Sequence, residues 1–193
     1  VLTLLAIDQL GATSQCFAPD ISQYHVINHL TGEEMDEQRN VLIESARIAR
    51  GKILPLSRFS ASDFDALVFP GGFGAAKNLC NWALAGDDCE VYPEVEKVVS
   101  EMHRLGKPIG AMCIAPVILA SLLKNIPLTT GKDPASASFI ENTGNQYIET
   151  THGEVVVDET NKLFTTPCYM LDASISEIMT GTRNLIERMI KSL

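Results

Sequence analysis

The sequence predicts an α/β fold, a mainly parallel sheet with helices on both faces, in one domain over residues 1–193. Three observations predict it. Short apolar runs alternate with helical stretches along most of the chain, the pattern of repeated strand–helix units. Two of those runs end in tight turns before a helix: Phe69 into Pro70-Gly71-Gly72, and Met112 into Cys113. No repeat, low-complexity stretch or linker divides the chain.

Residues 1–10 read as the tail of a helix closed by Gly11. Residues 14–18 read as a short strand, and residues 19–34 as a loop carrying His25 and His29. A helix over 40–50 ends at Gly51, and 52–56 suits a strand. The run Ala66-Leu67-Val68-Phe69 is apolar throughout, as a strand covered on both faces requires. Residues 75–85 read as one helix ending at Gly86. The next helix, 93–105, opens on Pro93, carries Glu94 and Glu96 at its positive end, and sets Val95, Val98, Val99 and Met102 in a stripe. A strand over 108–112 leads through Cys113 into a helix over 114–123, where Pro116 is tolerated in the first turn. Strands are expected at 128–130, 147–150, 155–158 and 163–166, with the last two forming a hairpin, and a short helix at 135–143. Ser174 and Glu177 spell a capping box for the last helix.

The composition excludes several function classes. A net charge of −9 repels phosphate backbones and anionic lipid, so neither nucleic acid nor membrane is an expected partner. No apolar run approaches the ~18 residues of a bilayer span. The five cysteines are odd in number and none sits in a C-x-x-C pair, which argues against a disulfide framework and a zinc finger. With no secretory or mitochondrial targeting pattern visible, the expected location is cytoplasmic. The histidines His25, His29, His103 and His152 lack metal-ligand spacing, so no metal is expected.

The chemistry points to Cys113. A strand-to-helix turn projects its central side chain out of the sheet, and the helix start that follows favours a thiolate. The match to G-x-S-x-G is partial, because Gly110 lies three residues before the cysteine and Ala115 replaces the second glycine. The plain alternative is a small buried hydrophobe. Pro70-Gly71-Gly72-Phe73-Gly74 suits an oxyanion hole, or simply a tight turn. Despite Lys77 it fits neither nucleotide-binding glycine pattern.

These residues resemble a known family. Cys16-Phe17-Ala18-Pro19-Asp20, the stretch from Val26 to Gly32, Arg39-Asn40-Val41-Leu42, the stretch from Phe69 to Leu79, Met112-Cys113-Ile114-Ala115-Pro116 and Thr165-Thr166-Pro167 occur in order along nearly the whole chain. The sequence resembles the ThiJ/PfpI branch of the class I glutamine amidotransferase-like superfamily, in its ElbB type, glyoxalase-like proteins once linked to isoprenoid biosynthesis. The resemblance implies a flavodoxin-like three-layer sandwich and a homodimer. It implies that Cys113 is the elbow nucleophile, that the amides of Gly72 and Ile114 form the oxyanion site, and that Gly71 shapes the turn. The implied activity is cofactor-free conversion of small 2-oxoaldehydes, glyoxal to glycolate being the type reaction; some relatives are described as protein deglycases. Two departures stand out. The family's glutamate, which serves the cysteine as proton partner, falls by register before Val1, as does the first strand, and both are expected in a preceding segment. Where some branches carry a histidine, this chain reads Thr129-Thr130-Gly131-Lys132. Two rival readings follow: a redox sensor with an oxidisable Cys113, and, more distantly, amidotransferase or peptidase chemistry.

Overall fold

A computed structural model describes residues 1–193, which fall into two compact units, one of residues 15–59 and one of residues 1–14 with 60–193. Elements are numbered in chain order: α1 (Leu2–Gln9), β1 (Cys16–Ala18), α2 (Val41–Ala49), β2 (Ile53–Pro55), β3 (Leu67–Phe69), α3 (Trp82–Ala85), α4 (Pro93–Arg104), β4 (Ile109–Met112), α5 (Pro116–Leu122), β5 (Pro127–Leu128), α6 (Pro134–Asn142), β6 (Gln146–Tyr147), β7 (Val156–Asp158), β8 (Leu163–Thr166) and α7 (Ile175–Lys191).

In the smaller unit β1 and β2 pair in parallel, and α2 packs on them. Asn40 starts α2 by accepting the Ile43 amide on its Oδ1 at 3.0 Å, while its side-chain Nδ2 donates to Asp20 Oδ1 at 2.8 Å. The loop between β1 and α2 is folded on itself by antiparallel bridges, Ser22 to Asn40 and Ile27 to Glu34.

The larger unit holds a four-stranded sheet in the order β3-β4-β8-β7, parallel except for β7, which forms the expected hairpin with β8. β5 and β6 pair separately, also in parallel. Side chains alternate across a strand. Met112 and Phe164 join Leu185, Ile186 and Met189 of α7 and Ala6 of α1 in one core cluster. Ile109, Ala111, Leu163 and Thr165 therefore face the other way, where α4 and α5 pack on β4. Helices thus cover both faces, as the sequence predicts, and β4 is buried at every position.

Gly110 lets α7 close on the sheet: a Cβ there would meet Met189 Sδ at 2.5 Å and Leu185 Cδ2 at 2.9 Å. The start of β4 is tied down by Lys107, whose ammonium donates to the Ala61 and Phe64 carbonyls. The capping box forms as read: the Glu177 amide donates to Ser174 Oγ at 3.3 Å, and Glu177 Oε2 accepts the Ser174 amide at 2.8 Å. Ser174→Ala should lower stability by about 1 kcal/mol; the check is a lower urea midpoint at unchanged denaturant slope.

One expected element is remade. Instead of a single helix over 75–85, a π turn over Ala75–Leu79 is followed by an extended Cys80 and then α3. Cys80 leaves the helix because it bridges Val91 in antiparallel fashion.

Candidate functional site

Strand register assembles the site. Phe69 pairs with Ala111, so Pro70-Gly71 leaves the sheet beside Met112-Cys113. Met112 pairs with Thr166 on the other side, so Pro167-Cys168 leaves beside the same turn. Cys113 therefore sits between two turns at the carboxyl edge of a parallel sheet, where ligands bind in such folds.

Cys113 has φ +59°, a left-handed conformation that few non-glycine residues adopt. Its amide donates to the Thr166 carbonyl at 3.0 Å, and the Ala115 amide closes the turn on the Met112 carbonyl at 3.0 Å. The side chain is half-buried. Pro116 then opens α5 as its first residue, where its missing N–H costs nothing.

Gly71 meets the turn directly. Its φ is +82°, and a Cβ there would stand 2.5 Å from the Met112 carbonyl oxygen and 2.6 Å from Cys113 Cβ. Only glycine allows that approach. Gly72 also has a positive φ, +84°, but a Cβ there would meet nothing within 4 Å. Neither the Gly72 nor the Ile114 amide is spent on a backbone carbonyl. The structure thus brings Gly71 against Cys113, with Gly72 and Ile114 following in the two turns.

The floor beside the elbow is built from hydroxyls. The Thr129 amide donates to Thr165 Oγ1 at 3.1 Å, Thr129 and Thr150 share a hydrogen bond at 2.7 Å, and Thr130 shares one with Ser136 at 2.7 Å. Thr166 Oγ1 donates to the Glu154 carbonyl at 2.7 Å. Thr129 and Thr130 occupy the stretch where the family resemblance led us to look for a histidine, and the hydroxyl of each is hydrogen-bonded within the protein.

The four histidines are divided between the two units. His103 is in the last turn of α4, ahead of β4 and so at the opposite sheet edge from Cys113, with Nδ1 buried and unpaired. His152 is exposed before β7, within electrostatic reach of Glu177. His25 belongs to the smaller unit, with Nε2 3.7 Å from Glu34. His29, in the same loop, is exposed.

Sequence reasoning missed Cys168. Its sulfur lies close to the Cys113 turn and 4.0 Å from Thr182 Oγ1. Burial, the largest effect, pushes its thiol up to about 11, so it stays protonated at neutral pH. The signal was its place two residues beyond the strand that pairs with β4.

Residues 54–172 match the DJ-1/PfpI family. The chain is 42% identical over 198 residues to human glutamine amidotransferase-like class 1 domain-containing protein 3, mitochondrial, covering 97% of this chain and 74% of that protein. A solved isoprenoid biosynthesis protein with an amidotransferase-like domain, from Ehrlichia chaffeensis, superposes with TM-score 0.92 at 34% identity, covering 100% of this chain and 90% of that one. Glyoxalase III from Candida albicans superposes with TM-score 0.63 at 14% identity over 100% of this chain and 85% of its own, a likeness of fold alone. These matches establish the flavodoxin-like, class I glutamine amidotransferase-like architecture. They also correct the expected cytoplasmic location: the human relative is named as mitochondrial, as are ES1 proteins of rat and zebrafish. Unpaired cysteines name no compartment, so cysteine usage could not decide the location. On the match of residues 54–172 and the 42% identity to the human relative, the chain belongs to the DJ-1/PfpI family.

Proposed function

We propose that this protein is a cofactor-free, glyoxalase-type lyase that converts small 2-oxoaldehydes to 2-hydroxy acids, with Cys113 as nucleophile. The observation that carries the reading is the contact between Gly71 and the left-handed Cys113 turn. Supporting it, the thiol is half-buried, and the amides of Gly72 and Ile114, in the two turns that meet there, are spent on no backbone carbonyl. The glyoxalase III likeness agrees at the level of fold.

In the proposed reaction the Cys113 thiolate adds to one aldehyde carbon of glyoxal, giving a hemithioacetal. The amides of Gly72 and Ile114 hold the oxyanion that develops. A carboxylate base, the glutamate that the family resemblance supplies, moves the carbon-bound proton to the neighbouring carbon through an enediol. The product is a thioester of the hydroxy acid. Water attacks its carbonyl, the carbon–sulfur bond breaks, and glycolate leaves with the thiolate restored. The same reading expects a homodimer with neither nucleic-acid nor membrane partners; no helix is long and apolar enough to cross a membrane.

The test is glyoxal turnover by Cys113→Ala. Turnover should fall at least about a hundredfold while the thermal midpoint stays close to that of the parent, and dialysis against a chelator should leave the parent's rate unchanged. A variant that turns over glyoxal as fast as the parent would end the proposal.

A further inference from the structure

We propose that Cys80 and Cys89 form a second reactive-thiol site, in which Cys89 takes an oxygen atom from a hydroperoxide and Cys80 resolves the product as an intramolecular disulfide. It uses neither Cys113 nor the glycine turn. The bridge between Cys80 and Val91 folds this segment back on itself. It is reinforced by the Asn81 amide on the Glu90 carbonyl at 3.1 Å, the Tyr92 amide on the Leu79 carbonyl at 2.9 Å, and the Glu90 amide on Asn81 Oδ1 at 2.7 Å. Within that fold-back Cys80 and Cys89 are brought close together, near enough for each thiol to shift the other's titration.

The two sulfurs are unequal. Cys80 is 3% exposed, and its thiol also reaches the Ala75 carbonyl at 3.4 Å. Cys89 is only partly buried, so it is the one a small oxidant reaches. The Cys89 sulfur accepts from Ser121 Oγ at 3.5 Å, a hydroxyl that also reaches the Val117 carbonyl at 2.9 Å, and polar groups of Cys80, Asn81 and Trp82 surround it and favour its charged form. A cysteine that serves as a small hydrophobe gathers no such set, whereas a thiolate is stabilised by it. Accordingly the neighbouring Cys80 thiol holds Cys89 well below the ordinary thiol range, and the same interaction, with burial, drives Cys80 upward. Cys89 attacks and Cys80 resolves.

The chemistry balances. The Cys89 thiolate attacks one peroxide oxygen: a sulfur–oxygen bond forms, the oxygen–oxygen bond breaks, and the other fragment leaves as water or an alcohol after taking a proton. The Cys80 sulfur then attacks the sulfenic sulfur. A sulfur–sulfur bond forms and hydroxide departs, taking up the Cys80 proton as water. The peroxide gains two electrons and each thiol gives one.

The experiment treats the full chain, in a Cys113→Ser background, with hydrogen peroxide, alkylates the remaining thiols and maps the peptides. The expected product is a Cys80–Cys89 linked peptide, formed with a change in fluorescence of Trp82, the chain's single tryptophan. Cys80→Ser should instead carry Cys89 on to sulfinic acid. In the untreated parent, Cys89 should react with iodoacetamide at neutral pH at least about tenfold faster than Cys16, a measurement that needs no variant to fold. Cys89 labelling no faster than Cys16, or oxidation of Cys89 in the Cys113→Ser chain without pairing to Cys80, overturns the proposal.

Discussion

Gly71→Ala is expected to destabilise the protein by about 2–5 kcal/mol and to cut the proposed glyoxal turnover of the molecules that remain folded by about a hundredfold. Two effects add. A left-handed backbone costs an L residue about 1–2 kcal/mol by itself. The new methyl would also meet the Met112 carbonyl oxygen at 2.5 Å and Cys113 Cβ at 2.6 Å. Both partners belong to the main chain or its first carbon, so no flexible side chain can swing aside, and the elbow itself must shift. Gly72→Ala is the internal control. It has the same left-handed backbone at φ +84° but open space where the methyl would go, so it should cost only the backbone penalty, about 1–2 kcal/mol. Urea denaturation of both variants, with turnover measured on each, decides the matter. If Gly71→Ala proves no worse than Gly72→Ala, the close approach does not shape this turn.

The second large effect is in the core behind the elbow. Leu185 is 0% exposed and lies in the cluster of Met112, Phe164, Ile186 and Met189 that seats α7 on the sheet. Leu185→Ala removes buried methyl groups and leaves a cavity that a sheet strand cannot collapse to fill, at a cost of about 3–5 kcal/mol. For a chain of this size the thermal midpoint should drop by roughly 10 °C. Ile175→Ala, on the same helix but 67% exposed, should move it little. The same contact yields a double-mutant test. A methyl at Gly110 would strike Leu185 Cδ2 at 2.9 Å, so Gly110→Ala should hurt less when Leu185 is already alanine. Strictly additive losses would mean that the contact with Leu185 does not set the cost at Gly110, leaving the nearer Met189 Sδ, at 2.5 Å, to set it.

Elements were legible where local chemistry fixes them. The Ser174–Glu177 box, Pro93 and Pro116 at helix starts, and the hairpin of β7 and β8 all appear as read. The misreadings are non-local. Residues 75–85 have helical composition, but pairing of Cys80 with Val91 interrupts the helix, and no local periodicity encodes a partner that far along. The strand expected at 128–130 stops at Leu128, because the Thr129 amide goes to a side chain, Thr165 Oγ1, instead of a neighbouring strand. The site divides the same way. Cys113 and the glycine turn are each written in a few consecutive residues. Cys168 beside Cys113, and Cys89 beside Cys80, come together only through strand register and a fold-back, which spacing alone does not reveal.

The hydroxyl floor has a consequence for kinetics. Thr129, Thr130, Ser136, Thr150, Thr165 and Thr166 are all buried, and none of their hydroxyls ionises in the working range. Cys168, held protonated by burial, adds no titration near neutrality. These hydroxyls and the Cys168 thiol are therefore silent to pH near neutrality. A limb in a rate profile taken there needs no contribution from them, so it is sought among the nucleophile, its proton partner, the substrate and the Cys80–Cys89 pair.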